Sequence, residues 1–118
     1  MEWTREKRYL PYSKWDALTL LKLQSQAARS EYQLHYHIRP MSGLLNDPNG
    51  FSYFNGKWQV FYQSYPFGAV HGLKSWVHLE SPDLVHWQNL GQAVLPDCDL
   101  DSHGAYSGSA KAIGDKLF

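Results

Sequence analysis

From Gly50 onward the apolar and aromatic residues fall into a period of two, a pattern that only extended strands can satisfy. Phe51-Ser52-Tyr53-Phe54 and Trp58-Gln59-Val60-Phe61-Tyr62-Gln63 flank Asn55-Gly56, a pair that tolerates the positive φ angles of a primed two-residue turn, so the segment reads as a β-hairpin. Ser75-Trp76-Val77-His78-Leu79-Glu80 reads as a third strand. After a Ser81-Pro82-Asp83 turn, Trp87 to Leu90 can pair as a fourth. Four antiparallel strands joined in order make the kind of unit that forms a propeller blade. Tyr106 to Ile113, a Gly114-Asp115-Lys116 turn and Leu117-Phe118 begin another hairpin, and the predicted class is all-β.

The segment ahead of the strands has a different period. Ser13-Lys14-Trp15-Asp16 has a helix-start pattern, with Ser13 placed to accept from the N3 amide and Asp16 complementing the positive end of the dipole. A helix over about 14–28 follows. Ala17, Leu20, Leu21, Ala27 and Ala28, with Gln24 among them, make an apolar stripe that should lie against something. The predicted division is a leader over 1–31 and a β domain over 32–118.

Charge and cysteine usage narrow the function classes. The formal net charge is zero and no basic run occurs, which argues against nucleic-acid or membrane-surface binding. Met1 to Lys14 alternates charge with aromatics, and the later apolar cluster Ala17 to Leu23 is short and interrupted by Lys22, so neither a secretion signal nor a membrane span is predicted. The single cysteine, Cys98, cannot form an intramolecular disulfide, and the expected location is the reducing cytoplasm. Cys98 has no cationic neighbour in sequence and reads as inert.

Leu44-Leu45-Asn46-Asp47-Pro48-Asn49-Gly50 presents a lone carboxylate in a backbone unsuited to a helix. Pro48 pushes Asp47 toward extended dihedrals, and Asn49-Gly50 favours a tight turn, which fixes Asp47 at a strand edge. The amides of Asn46 and Asn49 can donate to the ionised carboxylate. Such a group suits a nucleophile or a cation stabiliser, although the same residues also fit a plain Asx- and Pro-rich turn ahead of a hairpin.

Other motifs follow this one in order: Phe61-Tyr62-Gln63 with Pro66, Ser81-Pro82-Asp83-Leu84-Val85-His86-Trp87, and Tyr106-Ser107-Gly108-Ser109. Together with Asn46-Asp47-Pro48-Asn49-Gly50, the series resembles the glycoside hydrolase family that holds invertases, fructanases and sucrose-6-phosphate hydrolases. The opening Met1-Glu2-Trp3-Thr4-Arg5-Glu6, the Leu34-His35-Tyr36-His37 entry and the Phe67-Gly68 to Trp76 stretch look like the intracellular branch of that family that cleaves sucrose-6-phosphate. Two departures stand out. Leu44-Leu45 occupies the place where many members carry Trp-Met, so an aromatic wall of the sugar pocket is missing or comes from elsewhere, and Tyr106 stands where Phe or Trp is common.

The resemblance implies a five-bladed β-propeller with a helical leader, followed by a β-sandwich. One blade and the start of a second cannot close a ring, so the chain is expected to be the N-terminal piece of a larger protein. It further implies β-fructofuranosidase activity on a small sugar, sucrose-6-phosphate or sucrose. A fructan hydrolase or fructosyltransferase of the same family is the rival reading, and an inactive carbohydrate-binding fragment is a third.

Retaining cleavage of a fructofuranoside needs two carboxyl groups about 5 Å apart. Asp47 resembles the family's nucleophile, and no metal or organic cofactor is required. Asn46 and Gln63 match positions that bind fructosyl hydroxyls, Trp76 a pocket wall, and Tyr106 with Ser107 the rim. For Trp76 a core role and for Ser107 a plain strand role are the alternatives. Strict alternation puts Gln63 with Phe61 and Gln59, opposite Trp58, Val60 and Tyr62. The family's acid/base, a Glu in a Glu-Cys segment, and its sugar-binding Asp, in an Arg-Asp-Pro segment, have no counterpart here. Glu80, at a strand end, is a poor substitute.

Two further patterns imitate metal sites. Asp97, Asp99 and Asp101 alternate as in a calcium loop, but Ser102 and Gly108 occupy the positions that need Gly and Glu, so a solvated loop is expected. His35-x-His37 lacks a third ligand at metal spacing. His71 and Lys74 are candidates for recognising the 6-phosphate of a phosphorylated sugar.

Overall fold

The computed structural model describes residues 2–118; Met1, the first residue of the leader, lies outside the described residues. Four strands, β1 (Leu44–Phe54), β2 (Lys57–Tyr65), β3 (Ser75–Ser81) and β4 (Gln88–Val94), form one sheet in the order β1-β2-β3-β4. Every pairing is antiparallel. A two-stranded ribbon, β5 (Ala112–Ile113) with β6 (Lys116–Leu117), stands where a second hairpin is predicted, but its first strand starts at Ala112 and not Tyr106, and Lys116 pairs with Ile113 instead of lying in the turn. Asn55 and Gly56 take φ of 50° and 74°, the left-handed pair that a primed turn requires between β1 and β2.

Register assigns the faces. Val60 pairs with Leu79 and Tyr62 with Val77, and these four buried side chains form the core, with Ile38, Leu45 and Trp87 packed against them. The opposite face carries Gln59, Phe61 and Gln63 against Glu80, His78 and Trp76. This is the partition that alternation predicts for β2.

Several boundaries differ from the sequence reading. β1 begins at Leu44, so the Asp-Pro-Asn-Gly segment lies inside a strand and not in a turn ahead of one. The fourth strand is Gln88–Val94 because Trp87 still belongs to the turn, its Nε1 donating to the Leu84 carbonyl at 3.1 Å. In that turn the buried Ser81 hydroxyl accepts from the amides of Asp83 and Leu84 at 3.2 and 2.9 Å. The Asp83 carboxylate accepts from the amides of His86 and Val85 at 2.8 and 2.9 Å. These contacts, the His86 amide above all, hold the Asp83 carboxyl well below the usual carboxylate range. The Ser-Pro-Asp-Leu motif thus closes the β3–β4 connection.

The leader contains α1 (Arg5–Arg8), which its sequence did not announce, and α2 (Ala17–Ala28). Asp16, not Ser13, caps α2, its carboxylate accepting from the Leu18 amide at 3.1 Å, because residues 12–14 are drawn into a separate 3-10 turn. Leu20, Leu23, Gln24 and Ala27 form the half-buried stripe, whereas Ala17, Leu21 and Ala28 are exposed. Aromatic packing fastens the leader: Trp15 stacks on Phe67 at 4.3 Å between centroids, and Tyr12 meets Phe67 edge-on at 5.1 Å. Trp3 lies against both Trp15 and Tyr65. The Tyr12 hydroxyl donates to the Leu73 carbonyl at 2.9 Å, and burial pushes this phenol up to about 12. Among the described residues no helix is long and apolar enough to cross a membrane.

Candidate active site

β1 pairs with β2 through two bulges. Leu45 faces Ser64 and Pro48 faces Tyr62, so three steps on β1 match two on β2 and both Asn46 and Asp47 lie opposite Gln63. The same miscount recurs between Asn49 and Ser52, where Gly50 and Phe51 lie opposite Val60. Gly50 has φ of 57°, and a Cβ there would stand 2.9 Å from Phe61 Cδ2 and 3.0 Å from Ala110 Cβ, so glycine fits both the backbone and the space. Asn49-Gly50 therefore makes a bulge where the sequence suggested a tight turn. Pro48 is tolerated between the bulges because β1 is an edge strand, paired among the described residues with β2 alone in its sheet.

The bulge leaves the Asp47 side chain exposed on the sheet's outer rim. Neither flanking amide reaches its carboxylate. Asn49 Nδ2 donates to the Asp47 backbone carbonyl at 3.0 Å, and Asn46 Nδ2 donates to Gln63 Oε1 at 3.1 Å. The partner is Ser107, whose Oγ donates to Asp47 Oδ2 at 2.7 Å. Asn49, almost fully buried, clamps both segments by also accepting the Gly108 amide at 3.0 Å. Within the segment ahead of β5, the Ser107 hydroxyl and the Gly108 amide are spent on β1, whereas Lys111 exchanges backbone hydrogen bonds with Phe118 at 2.7 and 2.9 Å and extends the ribbon by one pair.

Gln63 joins the parts. It accepts from Asn46 and donates from Nε2 to the Ala105 carbonyl at 3.0 Å, with only 3% of its surface exposed. Trp76, its register partner, is half-buried, and its Nε1 donates to the Tyr106 carbonyl at 3.1 Å. Trp76 thus anchors the Tyr106-Ser107 segment in addition to flanking the site. The Tyr106 ring is 73% exposed at the rim. All six sequence-selected residues are gathered around the 105–107 segment: Gln63, itself bonded to Asn46, reaches Ala105, Trp76 reaches Tyr106, and Ser107 reaches Asp47.

His78 adds a residue that sequence reasoning passed over. Its ring stacks on Phe61 at 4.3 Å and its Nε2 lies 2.6 Å from Gln59 Oε1, while burial lowers its pKa. A histidine in an alternating strand carries no signal of this kind until strand register is known.

Glu80 stands apart. It pairs with Gln59, four residues along β2 from Gln63, which is roughly 13 Å at the strand rise and too far for a retaining pair with Asp47. Its carboxylate contacts Lys57 Nζ at 2.5 Å, and that hydrogen bond is the main reason its pKa is lowered.

A cavity of about 450 Å³ is remote from this chemistry and is bordered by His35, His37, Arg39, His86 and Trp87. Among the described residues no three His, Cys, Asp or Glu side chains gather as a metal site. Asp99–Asp101 forms a 3-10 turn in which Asp101 accepts from the Cys98 amide at 3.0 Å. Cys98 is free and exposed. A cavity of about 150 Å³ adjoins Gln63 and Tyr106 and brings in His71, Lys74 and His103.

Residues 37–118 match the family described as "Glycosyl hydrolases family 32 N-terminal domain". The chain is 56% identical over 118 residues to the sucrose-6-phosphate hydrolase of Pediococcus pentosaceus, covering 100% of this chain and 24% of that protein. The solved structure of sucrose-6-phosphate hydrolase from Lactobacillus gasseri superposes with a TM-score of 0.95 at 68% identity, over 98% of this chain and 24% of that one. A mutant of the Bombyx mori GH32 beta-fructofuranosidase BmSUC1, in complex with sucrose, superposes with a TM-score of 0.68 at 36% identity, over 87% of this chain and 23% of that one. The chain therefore spans about a quarter of the length of the relatives it matches.

Proposed function

Because the chain belongs to glycosyl hydrolase family 32, whose fold is a five-bladed β-propeller, we propose that it supplies the nucleophile side of an active site that hydrolyses β-fructofuranosides with retention. The four-stranded sheet is one blade, and residues 32–118 are the start of the propeller domain behind a leader over 1–31. The substrate is sucrose-6-phosphate or sucrose, a reading supported by the names of the relatives above. A phosphorylated sucrose is met inside the cell, and the free Cys98 suits a reducing compartment, so the enzyme acts in the cytoplasm.

The observation that carries this reading is the setting of Asp47. Ser107 occupies Oδ2, and among the described residues no donor engages Oδ1. An Asp47 oxygen attacks the anomeric carbon of the fructosyl unit, forming an ester as the bond to the glucosyl oxygen breaks. The departing oxygen takes a proton from a carboxylic acid, and that group, now a base, draws a proton from the water that cleaves the ester. No Glu-Cys segment occurs in these 118 residues, so the acid/base comes from outside them. Half-buried Asn46 presents its remaining hydrogen-bonding groups to fructosyl hydroxyls, and the nearly buried Gln63 acts behind it by holding its amide.

The test is turnover of sucrose-6-phosphate by the full-length protein in the presence of methanol. A covalent intermediate partitions to methanol and gives methyl β-fructofuranoside. The α-anomer, or release of fructose with no transfer, overturns the double-displacement reading.

A further inference from the structure

We infer that the small cavity beside Gln63 is the subsite for the substrate's phosphate, with Lys74 as its fixed cation and His71 and His103 as its flanking donors. This rests on the function proposed above and identifies where the charged end of that substrate is held. The cavity has about 150 Å³, and its lining contains one lysine and two histidines but no carboxylate. Among the described residues Lys74 forms no ion pair, since the pairs present are Lys57 with Glu80 and His86 with Asp83. A cationic pocket without an internal counter-ion is matched to an anion, and a phosphate can accept from several donors at once.

Its position suits one hexose of reach. Asp47 lies opposite Gln63, Gln63 pairs with Trp76, and Lys74 stands two residues before Trp76, about 7 Å along the extended chain. A fructosyl unit at Asp47 therefore directs its glucosyl partner across Gln63 toward Lys74.

The pocket is built, not incidental. Gly104, buried and at φ of 120°, lies so close to Lys74 that an added Cβ would be 2.9 Å from the Lys74 amide nitrogen. The Ala105 amide donates to the Lys74 carbonyl at 2.8 Å, and the Leu73 amide donates to the Arg8 carbonyl at 2.8 Å. The loop carrying His71 and Lys74 is thus pinned by the leader on one side and by the His103 loop on the other. Preorganised donors lose less freedom on binding. The physical role of the leader follows from this: it fixes the phosphate loop.

The experiment compares kcat/KM for sucrose-6-phosphate and for sucrose in the full-length enzyme and in Lys74→Gln and His103→Gln, together with binding of glucose-6-phosphate by calorimetry. Loss of one charge-assisted contact should lower the sucrose-6-phosphate value roughly tenfold or more relative to the sucrose value in each variant. Glucose-6-phosphate binding should weaken in step, and raising the salt should narrow the wild-type preference. Equal falls for the two sugars, or an unaltered preference with unaltered glucose-6-phosphate binding, overturns the subsite while the hydrolase reading stands. A wild-type protein that binds glucose-6-phosphate through Lys74 but cleaves no fructoside overturns the hydrolase reading and leaves the subsite in place.

Discussion

The Ser107 hydroxyl donates to Asp47 Oδ2 at 2.7 Å although the two residues lie 60 positions apart in the chain. One oxygen of the carboxylate is thereby held, and among the described residues the other has no donor. Ser107→Ala removes a hydrogen bond to a charged acceptor at an exposed site, and the expected loss is roughly tenfold in kcat with the fold retained. Steady-state kinetics with a melting curve check this. An unchanged kcat would mean that the contact is idle in catalysis.

Gly50 tests the bulge as the device that aims Asp47. Gly50→Ala must place a Cβ at positive φ and within about 3 Å of Phe61 and Ala110. The expected cost is roughly 1–2 kcal/mol from the backbone alone, with lower kcat as β1 shifts. Thermal unfolding and kcat should fall together. A variant as stable and active as wild type would show that the bulge can relax without moving Asp47.

Much of this geometry was legible in the residues, and the limits are instructive. The Asn55-Gly56 turn and the period of two fix β2, β3 and the half of β1 that follows Gly50, and the face of Gln63 follows from alternation. The two β1 bulges were not legible, because a bulge is a mismatch between two strands and the sequence of one does not contain it. The same holds for the Asn46 and Asn49 amides: both sit beside Asp47 in sequence, yet one is claimed by Gln63 and the other by a backbone carbonyl. Ser13 failed as a cap because Asp16 stands next to the residues that actually begin the helix. The aromatic packing of Trp3, Trp15, Phe67 and Tyr65 joins segments distant in sequence and left no periodic trace.

Tyr12 gives an alkaline signature. Burial raises its phenol from 10.0 to about 12, so the unfolded chain loses the proton first. The stability contributed by the neutral phenol is complete below pH 10 and is lost as pH rises from 10 toward about 12. Tyr12→Phe should show a shallower fall in melting temperature over that window, with the buried Tyr65 and Tyr62, whose phenols burial also raises, still contributing, and a lower stability at neutral pH by roughly 1 kcal/mol for the lost hydrogen bond. Parallel pH curves for the two proteins would contradict this.

Expressed alone, the 118 residues should release no fructose from sucrose or sucrose-6-phosphate. Among the described residues no second carboxylate faces Asp47, and loss of general-acid assistance costs ~10²–10⁴-fold before any loss of sugar positioning is counted. Turnover by this segment that Asp47→Asn abolishes would reveal an acid/base group within it.

The central claim is that Asp47 is the nucleophile, and the most direct test is kcat of Asp47→Asn in the full-length enzyme, with its fold verified by thermal unfolding. The substitution keeps the size and the bulge but leaves a neutral amide in place of the attacking oxygen. Turnover of sucrose-6-phosphate should fall by roughly 10⁴-fold or more with the melting temperature nearly unchanged. A folded Asp47→Asn protein that hydrolyses the sugar at a rate near wild type would contradict the account.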